Sequence, residues 1–419
     1  MKTFSISEYG CIRRAADFPG AESRPDELYL PDAAFNSLKQ LATGPDGSAV
    51  LTYSVQRGRE LLRTRNFVGL LETADGTRLE LLPKIPQAHE ALLTMLRYLP
   101  DRPFRQLAQA RVGAARLPLW EVFITAFLDD VTALLTTGLQ RSYVAESGDR
   151  TFLRGKLLVS EQLRRNGPHA ERFAVRYQAL TAGNAHNRVL KAALHYVAAR
   201  TGRVQNQRRV RQLLFALDDV PDAAPTADDW RVVRAGNRLF RQYEPVIRWA
   251  DVLLHGQTFG PTAGPFLKLS LLFPMERVFE AYVAAGFRKV VTDGELLIQE
   301  AGTHLVDTHS GSPRFRLRPD VVLRQNGQTT VFDTKWQWIT GDDPAGQYGI
   351  DQADLYQLYA YGKKYGAQRL VLIYPAHDGF RRPLDLFGYD PTLTLHVLPF
   401  DVTEPLPVAV EKLLAASLC

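Results

Sequence analysis

The stretch RPDVVLRQNGQTTVFDTKWQ, residues 318–337, decides the fold of the C-terminal part of the chain. The runs VVLRQ and QTTVF flank Asn326-Gly327, and this dipeptide favours a two-residue type I′ hairpin because both turn positions require positive φ. Gln325 then faces Gln328, and the numbers of opposed residues add up to 653. In the predicted hairpin Asp320 therefore faces Asp333.

The opposed aspartates predict a site for a cation. Cβ atoms of opposed strand residues lie about 4.5–5.5 Å apart, and like charges held that way repel. Because successive strand residues alternate faces, Lys335 shares the face of Asp333, whereas Thr334 and Trp336 point to the other face. Two carboxylates at this spacing suit Mg²⁺, which also takes waters and phosphate oxygens as ligands. The pattern favours metal-assisted phosphodiester hydrolysis, although an Asp-x-Lys triplet by itself is common by chance.

Two predicted helices flank these strands and carry further candidates. Glu280, on the helix before the strands, could supply another carboxylate, or it could be a solvated surface residue. Asp354, Gln357 and Tyr361, on the helix after the strands, are spaced i, i+3, i+7 and form one polar stripe. The stripe faces either the catalytic groove or water. Gln357 is the member we favour, because an amide beside Lys335 could bind a phosphate or the attacking water.

The composition is that of an ordinary globular protein. Hydrophobic residues make up 45% of the 419 residues and charged residues 23%, and a chain of this length has room for two or three domains. The N-terminus has no apolar signal segment, and no apolar run is long enough to span a bilayer. We therefore expect a cytoplasmic protein without membrane contact. With only Cys11 and Cys419, a disulfide framework and a cysteine-rich zinc site are excluded.

Positive charge is concentrated in the middle of the chain. The whole chain has a net charge of +6, but residues 141–211 hold fifteen Lys or Arg against four acids, a net of +11. Such a segment suits a polyanion such as nucleic acid, or it is a solvated helical surface. The basic residues that could contact nucleic acid or a protein partner are Arg154, Lys156, Arg188, Arg208, Arg209 and Arg211. Alternatively, Asn187 caps a helix and Arg188 pairs with an acid.

Patterns along the chain divide it into three expected domains. Residues 1–95 are rich in strand patterns, including a hairpin around Asp75-Gly76. Residues 96–262 are mostly helical and basic, and end in GQTFGPTAGP, which is typical of a linker. Residues 263–419 follow an α-β-β-β-α-β order, which implies a mixed sheet flanked by helices. The expected fold class is therefore α+β and multidomain.

Taken together, these residues match the PD-(D/E)xK nuclease pattern, and the wider chain resembles the McrC family, the nuclease subunit of McrBC-type modification-dependent restriction systems. The stretches that carry this resemblance are VGLLETADGTRLELLPKI, LRGKLL, NAHNRVLKAAL, LLFPMERVFEAYV, RPDVVL, VFDTKWQ and DLYQLYAYGKKY. They cover most of the chain in order, so the resemblance is far more specific than the Asp-x-Lys triplet alone.

The resemblance implies a restriction-endonuclease-like fold for residues 263–419 and a Mg²⁺-dependent DNA endonuclease, with Mn²⁺ as a possible substitute. It implies that Asp320, Asp333 and Glu280 bind the metal, and that Lys335 and Gln357 join them in catalysis. It also implies an McrB-like AAA+ GTPase hexamer as partner, docked on the N-terminal half, and double-stranded DNA as substrate. The sequence has no G-x-x-x-x-G-K-[ST] motif, so we expect this chain to bind no nucleotide.

Two other functions compete with this hypothesis. A non-catalytic adaptor could bind and activate an AAA+ ring while keeping a relic nuclease fold, but the intact Asp320, Asp333 and Lys335 argue against it. A stand-alone nuclease without a motor is the second possibility. It would leave the first 260 or so residues unexplained, because hydrolysis needs only the C-terminal domain.

Overall fold

The computed structural model describes residues 3–44, 50–73, 76–86, 88–100, 118–169, 171–255 and 267–418. The chain forms two compact units. Unit 1 consists of Met1–Ala115 and Thr258–Cys419, and unit 2 of Arg116–Gln257. Both units contain helices and sheets, which confirms the α+β, multidomain fold class. In the described part of the chain, no helix is long and apolar enough to cross a membrane.

The N-terminal part of unit 1 is rich in strands, as the sequence predicts. Its elements are β1 (Thr3–Ser7), β2 (Cys11–Arg14), β3 (Glu27–Leu30), α1 (Asp32–Thr43), β4 (Leu51–Gln56), β5 (Arg59–Thr64), β6 (Phe67–Thr73), β7 (Arg78–Leu82) and α2 (Ala88–Leu96). One sheet has the order β3-β2-β5-β4, and β1, β7 and β6 belong to another. The expected hairpin is formed by β6 and β7. Asp75 of its turn lies outside the described residues.

Unit 2 combines helices with a sheet that the sequence patterns do not predict. Its elements are α3 (Leu119–Thr136), β8 (Ser142–Arg150), β9 (Lys156–Leu157), α4 (Val159–Arg165), β10 (Phe173–Thr181), α5 (Ala185–Ala198), α6 (Val204–Ala216), α7 (Ala227–Ala235) and α8 (Glu244–His255). The sheet has the order β8-β10-β9 and is antiparallel. Gly236 ends α7 with a φ of 70°. The helical segment that follows α6 is therefore interrupted at Gly236.

The C-terminal part of unit 1 contains the mixed sheet that the α-β-β-β-α-β order predicts. Its elements are β11 (Leu267–Pro274), α9 (Met275–Val290), β12 (Glu295–Ile298), β13 (His304–His309), β14 (Ser312–Arg316), β15 (Val321–Gln325), β16 (Gln328–Thr334), α10 (Gln352–Tyr365), β17 (Arg369–Pro375), β18 (Phe387–Asp390), β19 (Leu393–Phe400) and α11 (Leu406–Leu418). Six of these strands form a sheet in the order β12-β15-β16-β17-β19-β18. Strands β16, β17 and β19 are parallel, and the other pairs are antiparallel.

The segment FRLRPDVVLRQ, residues 315–325, is divided between two strands. Strand β14 ends at Arg316 and β15 begins at Val321. Pro319 lies between them and has no N–H to donate, so a continuous ladder cannot pass through it. Strand β14 instead pairs with β13 in a separate two-stranded ribbon.

The two ends of unit 1 are joined by strand pairing, so the compact units differ from the three expected domains. Strand β11 lies after the linker but pairs antiparallel with β6 and completes the sheet β1-β7-β6-β11. Gly69 of β6 has a φ of 128°, and a Cβ there would lie 2.0 Å from the Leu271 carbonyl oxygen. Only glycine fits this close approach of the two strands. The first and last expected segments therefore share one compact unit.

Candidate active site

The β15–β16 hairpin has the register that the sequence predicts. Val321 pairs with Phe332, and Gln325 pairs with Gln328. Asn326 and Gly327 have φ angles of 53° and 73°, so both turn positions are left-handed, as a type I′ turn requires. One step further along this register, Asp320 and Asp333 occupy opposed positions.

The carboxylate of Asp320 is held by Thr334. Its Oδ2 accepts hydrogen bonds from the Thr334 main-chain N–H at 2.7 Å and from the Thr334 hydroxyl at 2.6 Å. Thr334 was expected to point away from the aspartates, but β15 begins only at Val321, so the N–H of Thr334 is available to a side chain. Burial raises the pKa of Asp320 well above its usual range, and the nearby charges of Asp333 and Glu280 raise it further. Oδ1 accepts no hydrogen bond from the described residues and is available to a ligand.

Lys335 lies between two carboxylates. Its Nζ is 3.0 Å from Asp333 Oδ2 and 2.9 Å from Asp354 Oδ1. Burial raises the pKa of Asp333 although Lys335 opposes this shift. Burial also disfavours the ammonium form of Lys335, but the charges and hydrogen bonds of Asp333 and Asp354 outweigh it and raise the pKa of Lys335. Lys335 is therefore protonated at neutral pH.

The polar stripe of α10 faces this cluster rather than water. Lys335 Nζ donates to Gln357 Oε1 at 3.0 Å, and Gln357 Nε2 donates to the Tyr361 hydroxyl at 2.7 Å. Asp354 and Tyr361 are buried. The sequence favours Gln357 as the functional member of the stripe and does not indicate that Asp354 pairs with Lys335. Its position three residues before Gln357 on the same stripe is the signal that could have identified it.

Glu280 approaches the aspartates from α9. Its Oε1 accepts a hydrogen bond from Gln299 Nε2, and Gln299 Oε1 accepts one from Arg318 Nη2. The Gln299 main-chain N–H donates to the Asp320 carbonyl oxygen at 2.9 Å. Gln299 has a φ of 51°, a left-handed conformation that is uncommon for a residue with a side chain. The sequence gave no signal for Gln299, because its backbone conformation depends on the strands around it.

The strand that carries Asp333 and Lys335 is also bonded to the N-terminal strands. Trp336 is buried, and its Nε1 donates to Glu8 Oε1 at 3.0 Å, while Lys84 Nζ donates to the Trp336 carbonyl oxygen at 2.8 Å. Burial raises the pKa of Glu8 to about 7 against the opposing charge of Lys84. Glu8 Oε2 is buried and has no hydrogen-bond partner. These long-range contacts fix the main chain immediately after Lys335.

The residues at this centre fit a hard divalent cation. Asp320, Asp333 and Glu280 offer carboxylate oxygens; burial raises the pKa of both aspartates, and the negative charge of Glu280 adds to both shifts. Asp354 Oδ2 is buried without a hydrogen-bond partner. Among the described residues, no group of three or more His, Cys, Asp or Glu is arranged to hold a metal by itself. Mg²⁺ keeps several waters and uses one or two carboxylates, a smaller set than such a group of three.

The basic candidates of the middle segment lie in unit 2. Arg188 is engaged within its own unit, because its guanidinium donates to Asp229 and to the Gly183 carbonyl oxygen. Asn187 is buried and donates to the carbonyl oxygens of Gln140 and Ala182. Asn184, not Asn187, caps α5. Arg188 therefore pairs with an acid, as its structural alternative has it, whereas the expectation that Asn187 caps the helix is wrong.

The other basic candidates are closer to solvent. Arg154 lies over the Tyr177 ring, 4.4 Å from its centroid, and Lys156 is exposed on β9. On α6, Arg209 pairs with Asp129 at 2.8 Å, whereas Arg208 and Arg211 are exposed. Exposure leaves Arg208, Arg211 and Lys156 accessible to a partner.

The fold and the site define an α+β protein with two opposed aspartates and a lysine on one hairpin. Residues 62–375 match the family model described as McrBC 5-methylcytosine restriction system component. Since this match spans well over half of the chain, the chain belongs to that family.

A solved structure shares this fold. A chain of the refined half-complex from the tetradecameric assembly of Thermococcus gammatolerans McrB AAA+ hexamers with bound McrC superposes with a TM-score of 0.67 at 20% identity. The match covers 98% of this chain and 100% of that chain. A chain of the cryo-EM structure of the Thermococcus gammatolerans McrBC complex has a TM-score of 0.47 at 20% identity, covering 70% of this chain and 89% of that one.

One curated protein of another kind matches a short segment. The 3-deoxy-D-manno-octulosonate 8-phosphate phosphatase KdsC of Haemophilus influenzae is 31% identical over 67 residues, which is 16% of this chain. The match spans 37% of the length of that phosphatase. So short a match does not show membership of the phosphatase family.

Proposed function

We propose that this chain is the Mg²⁺-dependent DNA endonuclease subunit of an McrBC-type restriction system, with a PD-(D/E)xK nuclease fold in its C-terminal part. The observation that carries the proposal is the opposed pair of half-buried Asp320 and buried Asp333, with Lys335 beside Asp333 on one hairpin. Burying excess negative charge is costly unless a cation compensates it. A bound Mg²⁺ would provide that compensation.

The three carboxylates have the role of metal ligands in this proposal. Asp320 and Asp333 would hold Mg²⁺, or Mn²⁺ in its place, with Glu280 binding the ion or its waters. The bound ion would lower the pKa of a water and neutralise charge that develops on the scissile phosphate. Thr334 holds Asp320 through two hydrogen bonds, so the orientation of this ligand is fixed before substrate arrives.

Lys335 acts as a fixed cation rather than as a base. Its raised pKa keeps it protonated at neutral pH, so it cannot accept a proton from the attacking water. Its Nζ is held by Asp333, Asp354 and Gln357, and a preorganised ammonium can stabilise negative charge on the phosphate in the transition state. Gln357, with an exposed side chain, can orient the attacking water or a phosphate oxygen beside Lys335.

The chain would act together with an McrB-like AAA+ GTPase hexamer on double-stranded DNA in the cytoplasm. Family membership supports this partner, as does the likeness of the fold to a chain from an assembly of McrB hexamers with bound McrC. The lack of a P-loop motif in the sequence means that the partner would supply GTP hydrolysis. The N-terminal half would dock on the ring.

A cleavage assay tests the proposal against the adaptor alternative. The chain is co-expressed with the product of the neighbouring gene, and the complex is incubated with methylated or unmethylated DNA, Mg²⁺ and GTP or ATP. The variants are Asp333→Ala and, as a matched control, Asp342→Ala, because Asp342 is exposed in the loop before α10. We expect Asp333→Ala to lower cleavage by about 10²–10³-fold or more, the order of a lost catalytic contact.

Two further readouts separate the alternatives. We expect stimulation of the partner GTPase to be unchanged in both variants, and cleavage by Asp342→Ala to match the wild type. Wild-type cleavage by Asp333→Ala would remove the catalytic assignment. A wild-type complex that stimulates the GTPase but never cuts DNA with Mg²⁺ or Mn²⁺ would favour the non-catalytic adaptor.

A further inference from the structure

The ribbon of β13 and β14 carries positive charge beside the candidate active site. Its strands, His304–His309 and Ser312–Arg316, are joined by a tight turn, where Ser310 and Gly311 have φ angles of 50° and 78°. Every residue of β14 is exposed. The ribbon belongs to neither the six-stranded sheet nor the N-terminal sheets. The single mixed sheet expected for residues 263–419 does not include such a ribbon.

The ribbon is anchored at its base and leads directly to Asp320. The Leu317 N–H donates to the Thr303 carbonyl oxygen at 2.9 Å, which closes the base. Leu317 is buried in the core of the C-terminal sheet, and Asp307 binds Lys364 of α10 through both carboxylate oxygens at 2.9 Å. The ribbon is thereby held against the helix that carries Gln357.

Two arginines on the ribbon have no partner in the described part of the chain. Arg314 and Arg316 are exposed and form no ion pair or side-chain hydrogen bond with the residues that the structure describes. Asp307, the acid on the ribbon strands, is neutralised by Lys364. The exposed face of the ribbon therefore has an uncompensated positive charge, which is complementary to phosphate.

Phe315, between these arginines, is displayed to solvent. Its side chain is 73% exposed, and its φ of 56° is left-handed, which is a genuine outlier for a bulky residue. Such conformations persist where the surrounding structure enforces them, and they concentrate at binding sites. An exposed aromatic ring flanked by two free guanidinium groups suits contact with the sugars and phosphates of DNA.

We infer that the β13–β14 ribbon is a DNA-contacting element whose Arg314 and Arg316 bind backbone phosphates of the duplex next to the bond that is cut. This inference rests on the proposed nuclease function. Arg316 lies four residues and Arg314 six residues before Asp320. At about 3.3–3.6 Å per residue, the chain separates them from Asp320 by at most roughly 14 and 22 Å, respectively. Phosphates of one DNA strand are spaced about 3.4 Å along the axis, which places both contacts within about six nucleotides of the reaction.

DNA binding by the whole complex tests the inference. All proteins carry Asp333→Ala so that DNA stays intact, and the probe is a short fluorescein-labelled duplex titrated between about 50 and 200 mM salt. The test variant is Arg314→Gln/Arg316→Gln. The matched control is Arg288→Gln/Arg382→Gln, which removes two charges at exposed positions of the same unit. A third variant, Phe315→Ala, removes the ring and keeps both charges.

Each variant has its own expected result. The slope of log K against log salt should fall in magnitude by about 1.8 in Arg314→Gln/Arg316→Gln, because each lost phosphate contact contributes about 0.9. Affinity should fall by roughly tenfold or more, and the control double variant should match the parent. Phe315→Ala should weaken binding without changing the slope. GTPase stimulation should be unchanged in every variant.

The failure of the ribbon and the failure of the nuclease proposal can be told apart. An unchanged slope and affinity in Arg314→Gln/Arg316→Gln would overturn the inference, even if the wild-type complex cuts DNA. Loss of GTPase stimulation with intact DNA binding would also overturn it, because the ribbon would then face the protein partner. If the slope changes as expected but the wild type never cuts DNA, the ribbon contacts DNA and the proposed catalysis is wrong.

Discussion

Replacing Asp320 by Asn should stabilise the protein in the absence of divalent metal. The change removes one of the clustered negative charges and keeps the shape of the side chain. The Asn carbonyl oxygen can still accept the two hydrogen bonds that Asp320 Oδ2 accepts from Thr334. The new amide group can donate to Asp333, so no buried polar group loses its partner.

The size of the effect follows from the opposed positions of Asp320 and Asp333. Two unit charges about 5 Å apart, at an effective dielectric constant of about 20, repel by roughly 3 kcal/mol. Lys335 offsets part of this repulsion because it pairs with Asp333. We therefore expect the free energy of unfolding of Asp320→Asn in EDTA to exceed that of the wild type by about 1–3 kcal/mol.

Denaturant unfolding followed by tryptophan fluorescence, with EDTA or with Mg²⁺, measures this difference. Mg²⁺ should stabilise the wild type by mass action and stabilise Asp320→Asn much less, while cleavage is lost in the variant. Asp342→Asn, in an exposed loop, should differ from the wild type by less than about 0.5 kcal/mol. A variant that is no more stable than the wild type in EDTA, or that gains as much from Mg²⁺, would refute the assignment of Asp320 as a metal ligand.

Three further results are expected. Glu8 has a pKa raised to about 7, so its contribution to stability is full below the usual value near 4.5 and is lost as pH rises through 7. In unfolding experiments, Glu8→Gln should abolish this pH dependence, which amounts to up to about 3 kcal/mol. If the variant and the wild type had the same dependence of stability on pH, buried Glu8 would not be its cause. Asp354→Asn should lower the rate of cleavage in single-turnover assays about 10–100-fold, because it weakens the contact that positions Lys335. A wild-type rate would show that Asp354 does not position Lys335. Gly69→Ala should destabilise unit 1 by about 2–4 kcal/mol in thermal unfolding, because its Cβ would meet the Leu271 carbonyl oxygen at 2.0 Å.

Local patterns in the sequence predict much of the C-terminal sheet. The Asn326-Gly327 turn determines the register of β15 and β16, because a two-residue loop leaves one alignment of the strands. Spacing on α10 likewise predicts one polar stripe, although it does not tell which way the stripe faces. The structure resolves that choice, since Asp354 and Gln357 both contact Lys335.

What the sequence does not reveal depends on contacts between distant segments. The pairing of β11 with β6 has no local signal, since an apolar run such as LKLSLLF fits several strand partners equally well. The bonds from Glu8 and Lys84 to Trp336 span 328 and 252 positions of the chain and leave no periodic pattern. The expected boundary near residue 262 therefore separates segments that the folded chain keeps together.

The pairing of β6 with β11 also has a consequence during synthesis. Strand β6 ends at Thr73 and its partner begins only at Leu267, so at about 5–20 residues per second the ribosome needs roughly 10–40 s to produce the missing strand. During that interval the apolar β6 has one open edge, which is a template for aggregation. Unit 2 emerges entirely within the same interval and can fold first. A nascent chain stalled before Leu267 should therefore depend more on chaperones than one stalled after Pro274, in which β11 can cover that edge.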